Sequence, residues 1–205
     1  MKLLYQTHSP YARKVLVMAH ELGLADRIEV IHHETSPTNR NDTVFAANPL
    51  GKVPILTLPD GAAIFDSAVI CDYLDGLHDR PRLIPATGPA RIHTLRLQAL
   101  ATGIADAGIA LRWETERRPE LLRYPALAAG QALKLRAAYD FIERDVSFDA
   151  SLDLGQIALA TALSWIEFRH LPSFRDGHPG LVRWYDAFVQ RASMRQTELQ
   201  GETVD

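Results

Sequence analysis

Residues 48–74, NPLGKVPILTLPDGAAIFDSAVICDYL, constrain the fold more than any other part of the chain, because they alternate turn residues with short apolar runs. Val53-Pro54 opens an apolar run over residues 55–58 that is typical of a β-strand. Since proline has no N–H to give to a ladder of hydrogen bonds, Pro54 must stand at the first position of that strand. A turn at residues 59–61 returns the chain into residues 62–65, so the sequence predicts a β-hairpin.

A helix is expected directly after the hairpin. Asp66 and Ser67 are of the residue types that cap helices, and a mostly apolar segment continues to Leu74. The backbone of Val53, at the start of the hairpin, and the Asp66-Ser67 pair, at the start of the helix, then face one spot. Unpaired N–H groups at a helix N-terminus attract anions, so this spot is a candidate binding site. The alternative is an ordinary helix cap beside a tight hairpin.

Composition excludes several classes of function. The 205 residues could form one domain or two small ones, and the 47% that are hydrophobic are ample for a core. A net charge of -3, with 22 basic and 25 acidic residues spread along the chain, leaves no electrostatic footprint for nucleic acid or an anionic membrane. No run of about 18 apolar residues exists to cross a bilayer, and the first residues do not form a signal peptide. One cysteine, Cys71, fits a reducing compartment, so we expect a cytoplasmic protein.

Residues 1–77 predict an α/β domain. Ser9 and Pro10 suit the N-cap and first position of a helix, and Gly23 suits its end. The predicted elements are, in order, a strand at 2–6, a helix reaching residue 22, a strand at 27–31, one helical turn at 42–47, the hairpin and the helix after Asp66. This βαβαββα order indicates a thioredoxin-like layer, built on a parallel pair of strands that needs a crossover helix.

The second half of the chain predicts an all-helical bundle at residues 91–205, after a linker at 78–90 that is rich in proline. Asp153 and Gln156 have the spacing of a capping box, and the helix that they begin is the most uniformly apolar one. The remaining segments are helices at 91–118, 125–146 and 178–192, and a polar tail at 193–205 with little to bury.

The Val53-Pro54 and Asp66-Ser67 motifs resemble the glutathione site of the cytosolic glutathione transferases. In that family the residue before a cis-proline pairs its backbone with the cysteinyl part of glutathione, which here falls on Val53 and Pro54. An acidic or amide residue followed by serine holds the γ-glutamyl end, which falls on Asp66 and Ser67; Asp66 departs from the more usual Glu or Gln. The resemblance covers nearly the whole chain. It implies glutathione as co-substrate, a small electrophile, a homodimer and no metal.

Ser9 is the residue that we expect to act on the glutathione thiol. The thiolate is the nucleophile, and an unperturbed thiol titrates at about 8.5. A charge-assisted hydrogen bond from the Ser9 hydroxyl is worth roughly 1.5 to 3 kcal/mol, or about one to two pKa units, and the helix N-terminus adds to it. Ser9 would donate this bond without attacking the substrate. The alternative is that Ser9 only caps its helix.

Two other groups bear on the thiol chemistry. Ser9-Pro10-Tyr11-Ala12 aligns with the Cys-Pro-Tyr-Cys of glutaredoxins and the Cys-Pro-Phe-Ala of cysteine-type transferases, with serine in place of the reactive cysteine. Cys71 lies in an apolar helix and cannot replace it, so a dithiol mechanism is excluded, although glutathione itself could carry a thiol exchange. Tyr5 is a rival thiolate donor, because some transferase classes use a tyrosine at the end of the first strand. Packing in the sheet is the other interpretation of Tyr5.

Several further residues are weaker candidates. Tyr11 and Trp113, with Leu111, could line the pocket for the second substrate, or could belong to the core. His32-His33-Glu34 does not have metal-ligand spacing. The resemblance implies a basic partner for the glycyl carboxylate, for which His33 and Arg40 are available, and a role for Asp106 toward the partner subunit's glutathione. We interpret residues 114–118 as a solvated helix end with local ion pairs.

Two hypotheses of function follow. The first is a serine-type glutathione transferase that transfers the thiolate to a small electrophile. The second is a glutathione-binding or scaffold protein of the same fold with little or no transferase activity; a glutathione-dependent disulfide or peroxide reductase is a further alternative. The second substrate is not legible from the sequence, because fold does not settle chemistry.

Overall fold

The N-terminal sheet is built on its first strand, β1. In the computed structural model, which describes residues 1–148 and 151–202, β1 pairs in parallel with β2 and antiparallel with β3, and β3 pairs antiparallel with β4. The order across the sheet is β2-β1-β3-β4. The elements of this domain are β1 (Lys2–Tyr5), α1 (Pro10–Glu21), β2 (Glu29–His32), α2 (Asp42–Ala47), β3 (Ile55–Thr57), β4 (Ala63–Ile64) and α3 (Ser67–Asp75). The predicted thioredoxin-like order is confirmed.

The local signals in this domain act as the sequence predicts. Ser9 caps α1, where its Oγ accepts a hydrogen bond from the Ala12 N–H at 3.2 Å. Asp66 caps α3, where its Oδ1 accepts from the Ala68 N–H at 2.9 Å. Pro54 stands directly before β3, and the Val53-Pro54 peptide bond is cis; the Phe65-Asp66 bond is cis as well.

The second domain is helical, and its centre is α6. The helices are α4 (Gly88–Arg112), α5 (Pro125–Asp145), α6 (Leu154–Phe168), α7 (Pro179–Phe188) and α8 (Ala192–Arg195), with a π-helical stretch at Trp113–Arg117 continuing α4. Residues 154–166 of α6 are all buried. The Asp153 cap has a second use: its Oδ1 accepts from the Gln156 N–H at 2.8 Å, and its Oδ2 accepts from the Thr94 hydroxyl of α4 at 2.6 Å.

Polar side chains join the two domains around α1. The buried guanidinium of Arg13 donates to the Ser164 hydroxyl of α6 at 2.6 Å and to the Met194 carbonyl at 2.8 Å. The Trp165 indole N–H of α6 donates to the His8 carbonyl at 3.0 Å. The loop that carries Ser9 is therefore held from both domains.

Several predicted boundaries were wrong. Residues 25–27 form a 3₁₀ turn, so β2 begins at Glu29, and α4 begins at Gly88 inside the predicted linker. The helix predicted at 178–192 ends at Phe188, and α8 follows separately. None of the helices in residues 1–148 and 151–202 is both long and apolar enough to cross a membrane.

The C-terminal tail was also predicted wrongly, as a segment with little to bury. Met194 is 1% exposed, and Ser193 is buried too. The Ser193 hydroxyl donates to Glu21 at 2.5 Å, and the Gln200 N–H donates to the Thr7 carbonyl at 3.2 Å. A polar tail is ordered here because its hydrogen-bond partners lie on the first domain, which its own composition does not reveal. Residues 203–205 of that tail lie outside the described residues.

Candidate functional site

A cavity of about 850 Å³ lies between the sheet domain and the helices. Seven of the residues that the sequence singled out for glutathione or for the second substrate line it, whereas Tyr5, His33 and Leu111 are not among its described lining residues. Those residues are Ser9, Tyr11, Val53, Pro54, Asp66, Ser67 and Trp113. The cavity thus brings together groups from the start of α1, the turn before β3, the start of α3 and the end of α4. What each group does there stays a prediction.

Ser9 presents a hydroxyl to the cavity from the first turn of α1. Its oxygen accepts from the Ala12 N–H, and within the described ranges its own O–H meets no protein acceptor. The proton can therefore be donated to an atom in the cavity. The N-terminus of α1 favours a negative charge at that place.

The main chain of Val53 offers a second polar surface. The Asn48 side-chain amide donates to the Lys52 carbonyl at 2.9 Å and its Oδ1 accepts from the Leu50 N–H at 3.0 Å, which fixes the turn before Val53. Gly51 has φ +61°, and an added Cβ would lie 2.1 Å from the Phe45 ring, so only glycine fits there. In residues 1–148 and 151–202, no hydrogen bond involves the Val53 N–H or carbonyl. Buried backbone groups need partners, and a peptide-like ligand would supply them.

Asp66 and Ser67 mark the third corner of the cavity, at the N-terminus of α3. Asp66 is exposed and uses one carboxylate oxygen for its cap, so the other remains directed to solvent or ligand in the described structure. Ser67, the next residue, is buried. The Asp66 carboxylate can hold the ammonium of an amino-acid group. The N-terminus of α3 can hold the carboxylate of the same group.

Tyr11 and Asp106 connect the two walls of the cavity. The Tyr11 hydroxyl on α1 donates a hydrogen bond to Oδ1 of Asp106 on α4. The pKa of Tyr11 is raised mainly by burial. The hydrogen bond to Asp106 and the charges of Asp106 and Asp66 raise it further. Tyr11 is therefore a neutral donor at physiological pH. Asp106, for which the resemblance implies a role toward a partner subunit, contacts Tyr11 of its own chain.

The alternatives for thiol chemistry are weaker in this geometry. Tyr5 is not among the described residues that line the cavity, and its ring packs edge-on against His32 at 5.8 Å. Cys71 is fully buried, and burial raises the pKa of its thiol to about 12, so it stays protonated. Of the two candidates for the glycyl carboxylate, Arg40 lines the cavity and His33 does not.

His8 is a cavity residue that the sequence did not reveal. It is buried, and in the described part of the chain its Nδ1 has no hydrogen-bond partner. The pKa of His8 lies below its ordinary value of 6.5, mainly because the side chain is buried. The charge of Glu34 raises this pKa in part, and the charges of Arg169, His32 and Arg112 lower it. His8 is therefore neutral near pH 7. No local motif signals it, since its burial depends on α6.

The end of α4 also differs from the sequence interpretation. Glu114 is buried rather than solvated; it accepts from the Tyr124 N–H at 2.8 Å and pairs with Arg118 at 2.8 Å. Arg117 lies over the Trp113 ring, 4.0 Å from its centroid, and both line the cavity. Arg112 and Arg169 line it as well. Trp113, Glu114 and Arg117 belong to the π-helical stretch, whose spacing differs from the α-helical periodicity that the sequence interpretation assumed. Within residues 1–148 and 151–202 no cluster of three or more potential metal ligands occurs.

Comparison with known proteins agrees with this geometry. The family model for the glutathione S-transferase N-terminal domain matches residues 8–77, and that for the C-terminal domain matches residues 125–187. The GST-like protein YibF of Escherichia coli K12, itself uncharacterised, is 30% identical over 204 residues, which are 97% of this chain and 98% of that protein.

Solved structures match over the full length. A glutathione transferase family member from Pseudomonas fluorescens Pf-5, with bound glutathione, has 37% identity and a TM-score of 0.94, covering 98% of this chain and 99% of that one. A glutathione S-transferase from Methylobacillus flagellatus KT, with glutathione bound, has 36% identity and a TM-score of 0.83, covering 97% and 99%. The chain therefore belongs to the glutathione S-transferase family.

Proposed function

We propose that this protein is a glutathione transferase that binds reduced glutathione along Val53, activates its thiol at Ser9 and transfers the thiolate to a small electrophile. The observation that carries the proposal is one cavity lined by a free hydroxyl at a helix N-terminus, an unpaired main chain before a cis-proline, and a carboxylate-serine pair at a second helix N-terminus. Glutathione bound to the P. fluorescens and M. flagellatus relatives supports it.

Each group has one task in this mechanism. The Val53 N–H and carbonyl pair with the cysteinyl unit and align it, and Pro54 removes a donor that would compete. Asp66 and Ser67 hold the charged amino-acid end. The Ser9 hydroxyl and the N-terminus of α1 stabilise the sulfur as thiolate, which then attacks the electrophile held against Tyr11 and Trp113. The family resemblance extends the proposal to a homodimer in the cytoplasm.

The transferase proposal differs from the binding-protein alternative in turnover. Calorimetry with reduced glutathione tests binding, and a panel of aryl halides, epoxides and peroxides with free glutathione tests transfer. Binding with conjugate formation on at least one electrophile is the expected result. Binding without turnover on the whole panel would favour the scaffold alternative, and turnover confined to the peroxides would favour the reductase.

Asp66→Asn tests the amino-acid end of the site. It removes the charge that faces the ligand ammonium but keeps an oxygen for the helix cap, so we expect glutathione affinity to fall by about tenfold, the worth of one charge-assisted hydrogen bond. Asp60→Asn is a matched control, because Asp60 also accepts an N–H two residues ahead at 2.9 Å but does not line the cavity. Equal affinities for both variants in calorimetric titration would contradict the assignment of Asp66.

A further inference from the structure

Arg13 is a buried charge on the helix that begins after Ser9. It is 7% exposed, and it is not among the described residues that line the cavity. The backbone N–H of Arg13 donates to the Ser9 carbonyl at 3.0 Å, as the first hydrogen bond of α1. Four residues of an α-helix rise about 6 Å, so Arg13 lies one turn beneath Ser9. The mechanism proposed above gives its guanidinium no part.

The hydrogen-bond partners of the Arg13 guanidinium are all neutral in the described part of the chain. Nη1 donates to the Ser164 hydroxyl at 2.6 Å, and Nη2 donates to the Met194 carbonyl at 2.8 Å. Nε donates to the Thr197 hydroxyl at 3.4 Å. Among the same residues, no carboxylate forms an ion pair with this guanidinium. A buried charge is usually paired, because an unpaired one costs free energy.

The ionisable groups that face Arg13 from other elements do not neutralise it. Tyr185 of α7 stays a neutral phenol, because burial and the charge of Glu167 raise its pKa. Glu198, in the tail, is exposed, so water weakens its field at the guanidinium. Burial lowers the pKa of Arg13, and Tyr185 and Glu198 raise it, but an arginine keeps its proton at any physiological pH. Arg13 therefore holds a full positive charge.

Lys14, the next residue of α1, is a buried cation in different surroundings. Burial lowers the pKa of Lys14, and Cys71, Asp66 and Asp106 raise it. Asp66 and Asp106 both line the cavity, so opposite charges lie between Lys14 and a ligand. Arg13 is the cation of this helix whose field such carboxylates do not offset.

The Arg13 guanidinium lies near the first turn of α1. Side chains of an α-helix lean toward its N-terminus, which for Arg13 is the direction of Ser9. Ser164, which accepts from Arg13, directly precedes Trp165 on α6. The Trp165 indole donates to the carbonyl of His8, the residue before Ser9. These contacts place the charge on the order of 10 Å from the Ser9 hydroxyl.

We propose that the buried charge of Arg13 supplies part of the positive potential at the N-terminus of α1 and so stabilises the glutathione thiolate at Ser9 without touching it. This inference rests on the proposed function. Arg13 is thus a positioning residue for the charge on the sulfur, and no bond forms or breaks at it. A unit charge about 10 Å away, at an effective dielectric constant of about 20, changes a thiol pKa by about one unit.

Two substitutions of Arg13 separate its charge from its hydrogen bonds. Arg13→Gln keeps polar donors but no charge, so the pKa of the bound thiol should rise by about one unit and turnover near neutral pH should fall by about tenfold. Arg13→Lys loses the planar fork but keeps the charge, so most of the wild-type pKa should return. Ultraviolet absorbance of the bound thiolate against pH measures the pKa. Above all these pKa values the rates should converge, since the thiol is then ionised in every protein.

Ser164→Asp and Ser164→Asn test the same charge with Arg13 in place. An aspartate puts a carboxylate against the guanidinium, whose Nη1 lies 2.6 Å from the Ser164 hydroxyl, and offsets its charge. Asparagine has nearly the same size and no charge. We expect the thiol pKa to be about one unit higher in Ser164→Asp than in Ser164→Asn. This pair decides the question if Arg13→Gln does not fold.

Arg191→Met is the control for a loosened C-terminal segment. Arg191 also ties that segment to α1, through two hydrogen bonds of 2.7 Å to Glu21. Its charge is paired with that carboxylate, at the opposite end of the helix from Ser9. The thiol pKa should therefore not change. Calorimetry with S-propylglutathione, which has no thiol to ionise, shows whether each variant keeps an intact site.

The outcomes separate this inference from the proposed function. A lowered thiol pKa in the wild-type protein that is the same in Ser164→Asp and Ser164→Asn would overturn the inference while the proposed function stands. Equal rises in Arg13→Gln and Arg13→Lys, or an equal rise in Arg191→Met, would overturn it too, because packing rather than charge would then be responsible. An unperturbed thiol pKa in the wild-type protein, or no binding of glutathione, would overturn the proposed function and the inference together.

Discussion

Replacing Ser9 with alanine should raise the pKa of bound glutathione by about one to two units and reduce turnover near neutral pH by about ten- to a hundredfold. The hydroxyl proton of Ser9 is free to donate into the cavity, whereas the Tyr11 hydroxyl in the same turn of α1 already donates to Asp106. Losing it leaves only the helix N-terminus to stabilise the thiolate. Ultraviolet absorbance of the bound thiolate against pH measures the pKa, and initial rates measure turnover.

The control for this prediction is Tyr5→Phe. Tyr5 packs against His32 and does not line the cavity, so its phenol should be dispensable and the thiolate pKa unchanged. Ser9→Ala also removes a helix cap worth about 1 kcal/mol, so the affinity for S-propylglutathione, which has no thiol, should be measured beside it. If the thiolate pKa changed in Tyr5→Phe and not in Ser9→Ala, Tyr5 rather than Ser9 would be the donor to the thiolate.

Asp75→Ala should destabilise the protein by about 3 to 5 kcal/mol and lower its melting temperature by about 10 °C. Asp75 is 1% exposed at the end of α3. Its carboxylate accepts from the Leu83 N–H at 2.8 Å and from the Ile84 N–H at 3.1 Å, so it holds the segment that leads into the helical domain. Alanine would leave two buried donors without a partner.

The matched control for stability is Asp72→Ala, an exposed carboxylate on the same helix. Its effect should stay within about 0.5 kcal/mol, as is usual for surface substitutions. Chemical denaturation with circular dichroism compares the two variants. Similar stabilities for Asp72→Ala and Asp75→Ala would show that the bonds from Asp75 to the linker contribute little.

Short-range signals explain why much of the fold could be predicted. Ser9-Pro10, Val53-Pro54 and Asp153 with Gln156 each act within a few residues, through a missing N–H or a side chain that caps the helix it begins. Because such effects involve only neighbouring residues, they can be predicted without knowing how the chain folds. For that reason the N-terminal order of elements and the apolar α6 were predicted with small errors in their bounds.

The missed features depend on residues far apart in the chain. Arg112 and Arg169 are 57 positions apart by their numbers, and both line the cavity because α4 and α6 pack together. The tail is held by Arg13 and Glu21 of α1, and Glu114 is buried because it caps the chain at Tyr124. Neither periodicity nor composition encodes such partners, so the sequence did not predict that these arginines line the cavity.

The central claim is that glutathione lies extended along Val53 with its sulfur at the Ser9 hydroxyl. Determining the structure of the complex with reduced glutathione tests it most directly. We expect two main-chain hydrogen bonds between the cysteinyl unit and Val53, and a sulfur within about 3.5 Å of Ser9 Oγ. A tripeptide bound without those main-chain bonds, or a sulfur more than about 5 Å from that oxygen, would contradict it.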